Sequence, residues 1–509
     1  MPAPDRADAV DLLEQVTAAI PGGEDRPSQV EMTRAVQTAF RTKRHLAVQG
    51  PTGVGKSLAY LLPAIAAAGP DDRTVVVTSS KALQDQLANV DLPFLAGTLD
   101  RPFSYAVLKG RSNYLCAAAL DEVRVQLRRG TQQQHLDVGA AEPATGPDLS
   151  DEEVLAEVER LVDWSETTEH GDMSELEEAP HWQAWSAVSV GPGECVGAAS
   201  CSFAEDCWSE QARAAAEEAD VVVVNAHLYG AHVQTGRTLL PVHTRLVIDE
   251  AHEFEDSIVG SLSVELTEGR LANLARVHER SVADEAKVGT SLRSAGQMLE
   301  ALLTGMSADA SGPSAQVRLR DGLGTELSAV VSTVAAAADR ALNSLRRAAK
   351  HAGQTSARHR IDRAVRVAEG VLGDAQALLG SQGPGTVCWV ESTRNGRHAV
   401  RLTRIDIAAT LRARAWEDSG LTVVCCSATL DRGTARRLGL DAEYLAVDSP
   451  FDFREQAVLY VPKLSRPNHP DWPEQVAGVI THLIEQLDGR TLALFTSNKM
   501  LRETVERCR

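Results

Sequence analysis

The sequence predicts an α/β protein: a parallel sheet carrying a phosphate-binding loop, interrupted by two insertions and followed by the opening of a second α/β unit. Three observations carry this. An apolar strand, His45-Leu46-Ala47-Val48-Gln49, runs into Gly50-Pro51-Thr52-Gly53-Val54-Gly55-Lys56-Ser57 and then into a helical run from Leu58. A second strand, Arg245-Leu246-Val247-Ile248, delivers Asp249-Glu250-Ala251-His252. Further apolar runs at Arg73 to Thr78, Val221 to Val224 and Leu421 to Cys426 lack the alternation of a one-sided sheet, as expected of strands covered on both faces.

The segment Gly50 to Ser57 has the glycine, lysine and hydroxyl spacing of a complete Walker A loop, in the strand-loop-helix context that loop needs. Gly50, Gly53 and Gly55, with Thr52 among them, let backbone amides turn inward and approach a phosphate closely. The helix starting near Lys56 aims its positive dipole end at the same anion. Lys56 is expected to contact the outer phosphates and the Ser57 hydroxyl to hold magnesium. Asp249, at the end of a buried strand, is expected to complete the magnesium shell, and Glu250 to polarise the attacking water. ATP is the nucleotide that suits this set. An acid pair also suits the start of a helix, but the phosphate loop decides for catalysis.

Length and composition bound the rest. A chain of 509 residues suggests about three domains. Hydrophobic residues at 43% and charged residues at 24% are ordinary for a soluble globular protein, and no stretch is long and apolar enough to span a membrane. Met1-Pro2-Ala3-Pro4-Asp5-Arg6 lacks a basic segment followed by an apolar core, so a cytoplasmic location is expected. There, eight cysteines suggest metal ligands, catalytic groups or buried small hydrophobes rather than disulfides.

A net charge of −19 argues at first against a nucleic-acid partner, but between Asp148 and Glu178 stand thirteen acidic side chains against one arginine. Most of the acidity is therefore local, and it reads as a solvated insertion that repels DNA. Basic groups remain at Lys109-Gly110-Arg111, at Arg346-Arg347 and in the series Arg358, Arg360, Arg363 and Arg366. Local patches decide phosphate binding. The last series also reads as the solvated face of a helix.

Residues 1–108, 211–256 and 386–448 are assigned to one discontinuous α/β domain. Residues 109–210 form a cysteine-bearing insertion with the acidic stretch. Residues 257–385 are Ala- and Leu-rich with almost no strand signal, so an all-helical insertion is expected there. Gly383-Pro384-Gly385 ends it, and Val387 to Val390 with His398 to Leu402 read as a hairpin around Asn395-Gly396. Residues 449–509 open a second α/β unit, in which Gly489 to Ser497 reads as a strand and Asn498 to Arg509 as a helix.

Cys116 follows Leu108-Lys109-Gly110-Arg111-Ser112-Asn113-Tyr114-Leu115, and Cys195, Cys201 and Cys207 follow at equal gaps. Four thiolates drawn together by one insertion suit an iron-sulfur cluster or a structural zinc. The absence of C-x₂₋₄-C pairs leans toward the cluster. Lys109, Arg111 and Tyr114 mix cations with an aromatic, as a groove tracking a single strand requires. Cys388, Cys425 and Cys426 lie in strands, where an inert buried thiol is the default.

Taken together, these segments resemble the DinG/XPD-type iron-sulfur helicases of superfamily 2, and in particular DinG-like bacterial members. The resemblance is carried by Arg26 to Met32 as a Q-like motif, the Walker A loop, Val77 to Leu87 as motif Ia, Lys109 to Cys116 and Val223 to Leu228. It continues through the Asp-Glu-Ala-His box, Ser427-Ala428-Thr429-Leu430 and Ser449-Pro450-Phe451. It implies two RecA-like domains with a cluster domain and an arch, binding ATP, Mg2+ and a [4Fe-4S] cluster held by Cys116, Cys195, Cys201 and Cys207. It further implies that Gln29 reads adenine and that His252 and Thr429 couple nucleotide state to the grip on DNA.

The expected activity is 5′ to 3′ translocation of a monomer on single-stranded, tailed or forked DNA, in repair or replication. Relatives end with an arginine-bearing motif that does not occur before Arg509, so a C-terminal truncation with weak hydrolysis is expected. With Gln29 so near the start, no preceding exonuclease domain is expected. A DNA-binding, redox-responsive module with incidental ATPase activity is the alternative reading.

Overall fold

Val75 to Val77 and Val221 to Val224 offer water no polar face, and all lie fully buried in one parallel sheet. β-Branched residues covered on both sides suit such strands. In chain order the strands are β1 (His45–Gln49), β2 (Thr74–Thr78), β3 (Tyr105–Val107), β4 (Val221–Asn225), β5 (Arg245–Asp249) and β6 (Val264–Thr267). Then come β7 (Gln316–Leu319), β8 (Thr386–Ser392), β9 (His398–Arg404), β10 (Thr422–Ser427) and β11 (Ala442–Ala446). The computed structural model describes residues 8–508 apart from 70–71, 129–149, 192, 283–284, 308–315, 321, 354–355, 381–384, 393–396, 405 and 418–419.

Seven strands form the expected parallel sheet, in the order β11-β1-β10-β5-β2-β4-β3. Alternate residues of each strand feed two different cores. Leu46, Val48, Val76 and Val247 pack on one face with the helix Lys56–Ala66, and Ala47, Val75, Leu246 and Ile248 on the other with the helices Ala226–Gln234 and Ala251–Leu262. Sheet and covering helices thus form the layered architecture of α/β proteins. No helix among the described residues is long and apolar enough to cross a membrane.

The first insertion has its own small core, in which Leu115 and Leu120 meet Val158, Leu161 and Trp185. Its acidic helix Asp151–Trp164 starts from a capping box between Ser150 and Glu153 and turns Val154, Val158 and Leu161 inward. Asp148, also part of the acidic stretch, lies outside the described residues.

The second insertion corrects two expectations. It is not all-helical: β6 and β7 join β8 and β9 in a four-stranded antiparallel sheet of order β6-β9-β8-β7. The β8–β9 hairpin, assigned above to the main domain, belongs to this sheet, and its turn residues Asn395 and Gly396 lie outside the described residues. Four-residue strands such as β6 and β7 carry too little alternation to read alone, and they form because long neighbours supply hydrogen-bond partners. The sheet closes a core with the long helices Gly324–His351 and Ser356–Gly380, joining Val390, Val400 and Leu402 to Leu345, Ala368 and Val371.

Met1–Ser449 is one compact unit and Pro450–Arg509 a second. In the second, the helix Trp472–Gln486 packs on Asn498–Cys508, with Arg507 Nε 3.5 Å from Glu474. The strand expected at Gly489 to Ser497 does not form. Residues 491–495 take no regular structure and pair with no strand, leaving Leu492 84% and Leu494 85% exposed. Apolar alternation gives a strand only where a neighbour accepts its backbone bonds, and among the described residues of this unit none does.

Leu345 is fully buried where the helices of the second insertion meet. Leu345→Ala is expected to cost about 2–5 kcal/mol in chemical denaturation, by lost transfer energy plus a cavity.

Candidate active site and cysteine pocket

The sheet order sets the site. β1 lies between β11 and β10, and β10 pairs next with β5, with Gln49 opposite Ser427 and Cys426 opposite Asp249. The carboxyl ends of three adjacent strands therefore deliver the phosphate loop, Ser427 and Asp249-Glu250 to one edge, where open α/β sheets place their ligand crevice.

The loop is braced from behind. Gly53 and Gly55 adopt φ of 85° and 84°, conformations that favour glycine. The Gln29 amide nitrogen donates to the Gly55 carbonyl at 3.0 Å, and Arg26 Nη1 to the Gly53 carbonyl at 2.6 Å. Gln29, expected to read adenine, is buried in this structure and shapes the phosphate loop. Gly50 packs beside the Lys56 stem and donates its N–H to the Ser427 carbonyl, tying loop to sheet.

Lys56 Nζ lies 3.7 Å from Glu250 Oε1, and Ser57 is the second residue of the helix that begins at Lys56. Asp249 is almost fully buried. Its Oδ1 accepts the Glu250 N–H at 3.0 Å, and its Oδ2 accepts the Tyr60 hydroxyl at 2.8 Å. Burial raises the Asp249 carboxyl to about 6, although the Tyr60 bond works in the opposite direction. Glu250 has φ 50°, a left-handed conformation that costs a non-glycine residue about 1–2 kcal/mol. The Ser79 hydroxyl holds the same turn through the carbonyls of Asp249 and Glu250.

Ser427 connects the elements. Its Oγ donates to Glu250 Oε2 at 3.1 Å, receives the Thr429 N–H at 3.2 Å and lies 2.8 Å from His252 Nδ1. With its only proton on the glutamate bond, Ser427 must accept the third contact, so His252 Nδ1 carries a proton. Coupling is expected of His252 and Thr429. His252 is in the network, but Thr429 enters through its backbone, and the serine two residues earlier is the hub. The signal for it lies in the same Ser427-Ala428-Thr429 triplet. Tyr60 carries no sequence signal beyond an aromatic on an apolar helix.

The four cysteines line one concavity that opens to solvent, and all are free thiols. Cys116 precedes the helix Ala117–Arg128, with its N–H on the Val188 carbonyl; Cys207 caps the helix Trp208–Glu218. Burial pushes the Cys116 thiol up to about 11 and raises Cys201 and Cys207 as well. Among the described residues no three His, Cys, Asp or Glu side chains converge closely enough to hold a single metal ion.

The strand-tracking groove expected beside the cysteines is not present in that form. Tyr114 is 3% exposed, its hydroxyl accepting the Lys109 N–H, so it has no free face for a base. Lys109 Nζ is 2.8 Å from Asp172 and 2.7 Å from the Ser174 hydroxyl. Arg111 donates to Cys195 Sγ at 3.3 Å and pairs with Glu210. These cations brace the cysteine loop. Nor is the arginine series a bare cationic face: Arg358 pairs with Asp362, Arg363 with Glu194 and Arg366 with Glu369.

A family model described as DEAD/DEAH box helicase matches residues 27–163. The ATP-dependent helicase DinG of Mycobacterium tuberculosis (strain ATCC 25177 / H37Ra) is 36% identical over 98% of this chain and 75% of its own length. The chain belongs to the DinG family of ATP-dependent helicases. The ATP-dependent DNA helicase YoaA of Escherichia coli (strain K12) is 31% identical over 97% of the chain and 75% of its own length. A solved structure titled XPD_Helicase aligns over 95% of this chain and 74% of its own, at 14% identity and a TM-score of 0.48.

For a DinG-family phosphate loop, the geometry at Gly55 allows one direct test. A Cβ there would lie 2.2 Å from Gln29 Nε2 at a φ of +84°. Gly55→Ala is expected to weaken ATP binding about tenfold or more, since about 1–2 kcal/mol of left-handed strain adds to the loss of the brace. Titration with a fluorescent ATP analogue, with circular dichroism as the folding control, checks it.

Proposed function

We propose that this chain is an ATP-dependent DNA helicase that moves 5′ to 3′ along single-stranded DNA. The observation that carries the reading is the convergence of Lys56, Asp249 and Glu250 with Ser427 and His252 at the carboxyl edge of one sheet. The name of the Escherichia coli relative, a DNA helicase, supports DNA as the polymer.

The proposed roles follow from where each side chain stands. The loop amides and Lys56 receive the phosphates, and Ser57 with Asp249 would hold Mg2+, which when bound supplies charge neutralisation at the phosphates. Tyr60 fixes the Asp249 carboxylate, and its hydroxyl is also within hydrogen-bonding reach of the Ser57 side chain. Glu250, oriented by Ser427, is placed to orient the attacking water and accept its proton. The His252–Ser427–Glu250 bonds link the hydrolytic acid to β10, so a shift at the γ-phosphate has a mechanical route out of the site.

The cysteine pocket fits an iron-sulfur cluster. Zinc would require four sulfurs about 2.3 Å from one point, whereas a cluster takes its thiolates on separate irons and needs no such convergence. Cys116, Cys195, Cys201 and Cys207 would hold it, with Arg111 and Arg363 offsetting negative charge. When bound, it supplies a cross-link among chain segments remote in sequence. The DNA path and a place in repair or replication rest on the same family reading.

Lys56→Ala is expected to abolish ATP hydrolysis and ATP-driven unwinding of a 5′-tailed duplex. Unwinding that survives the substitution, or that requires a 3′ tail, sinks the proposal. Iron and labile-sulfide analysis of anaerobically purified protein is expected to find both; zinc without sulfide would overturn the cluster assignment.

Asp249 also makes the site pH-sensitive. Metal binding requires the carboxylate, so Mg2+-dependent ATP binding is expected to fall as pH drops through about 6. Tyr60→Phe removes a bond that favours the ionised form, so it is expected to move this limb to higher pH, as binding isotherms from pH 5 to 8 would show. For stability the sign is opposite. The folded metal-free chain binds the Asp249 proton more tightly than the unfolded chain, so this group costs stability as pH rises from 3.8 toward about 6.

A further inference from the structure

The wall of the cysteine pocket is not made by the cysteine insertion alone. The helix Ser356–Gly380, which belongs to the second insertion, places His359 and Arg363 among its lining residues. They are four residues apart, so they share one face of the helix. Arg363 Nη2 is 3.3 Å from Glu194, the residue before Cys195, and its charge also acts on Cys116. The His359 ring meets Phe203, two residues beyond Cys201, edge-on at a centroid distance of 6.2 Å. His359 is 7% exposed, and its buried Nδ1 has no hydrogen-bond partner. Leaving a buried polar group unmatched costs about 1–3 kcal/mol, so such an atom on a residue that lines the cysteine pocket calls for an acceptor or donor that the polypeptide does not supply.

We propose that His359 and Arg363 are positioning residues for the iron-sulfur cluster: the second insertion lends the pocket a hydrogen-bond donor and a cation that set the cluster's reduction potential. The inference rests on the cluster reading given above and goes beyond it, because neither residue is a ligand and both come from a different part of the chain. Cluster sulfurs accept hydrogen bonds, and the potential follows the net charge and hydrogen bonding around them. Reduction adds one electron and no new cation, so a fixed positive charge and an N–H directed at sulfur both favour the reduced state. Arg111, held by Glu210 against Cys195, supplies the matching charge from within the first insertion.

By reciprocity, whatever moves the helix Ser356–Gly380 away from the pocket also moves the potential, and cluster charge biases where that helix rests. The cluster then reports on the contact between the two insertions.

The test is a redox titration of the full chain, purified anaerobically, with dithionite as reductant and electron paramagnetic resonance as readout. Arg363→Gln and His359→Phe are each expected to make the midpoint potential more negative. The shift should correspond to about a tenfold lower ratio of reduced to oxidised cluster at fixed potential, or about 59 mV for one electron. His359→Phe keeps a ring against Phe203 while removing the donor. Arg363→Lys should retain most of the wild-type potential, and Arg366→Gln, on the exposed side of the same helix, should leave it unchanged. A merely structural role would lower cluster retention or thermal stability without moving the potential of the cluster that remains. Wild-type iron and sulfide content with unmoved potentials in both His359→Phe and Arg363→Gln overturns the inference alone. Absence of labile sulfide from the wild type overturns the cluster reading and the inference together.

Discussion

The parallel register of β1, β10 and β5 is the constraint on which the site depends. It puts Gln49 opposite Ser427 and Cys426 opposite Asp249, so that residues far apart in the chain end at one edge. No side-chain interaction in the site could assemble this geometry by itself. The Ser427–Glu250 bond and the Tyr60–Asp249 bond are each worth only about 0.5–3 kcal/mol net, and they hold because valine-rich strands have already fixed the backbone. Energy stored locally is small too: the left-handed Glu250 turn is tolerated because Ser79 and Ser427 hold it from two sides.

Legibility follows the range over which each signal acts. The phosphate loop and the acid pair are contiguous, and their chemistry demands particular residue types, so Lys56, Ser57, Asp249 and Glu250 are recognisable from the amino-acid order alone. The buried strands are equally plain, since a fully covered strand has only one composition available to it. Tyr60 is not: its hydroxyl reaches Asp249 across 189 positions, and nothing in Leu58-Ala59-Tyr60-Leu61 distinguishes a tyrosine that packs from one that positions a carboxylate. Ser427 is visible as a motif member, but which of Ser427 and Thr429 meets Glu250 is decided by where β10 ends: Ser427 is its last residue, and Thr429 lies in the turn beyond it.

Charge is legible in sum and less so in place. Lys109 and Arg111 look in the sequence like cations waiting for a phosphate, yet Asp172, Ser174, Glu210 and a cysteine sulfur hold them. A sequence shows the sign of a side chain and not its partner, and the partners of these two cations lie tens of positions away. The same blindness hides the short strands β6 and β7, whose pairing with β8 and β9 supplies what four residues of alternation cannot.

The two insertions meet through a different kind of contact from the one that holds each together. Their cores are apolar and separate, one around Leu115, Val158 and Trp185, the other around Leu345, Val371 and Val400. At the boundary, by contrast, lie Glu122, Glu194, Arg276, Arg280 and Arg363, where burial lowers Arg276 to about 10 and raises the Glu122 carboxyl. A seam of desolvated charges binds less tightly than an apolar one of equal area, because each ion gives up hydration that its partner only partly replaces. Such a seam favours separation into two intact modules over unfolding of either. The cysteine pocket opens at this seam with Arg363 common to both, so a group bound there would sense the contact directly, through the charge of one arginine and without any rearrangement of the main sheet.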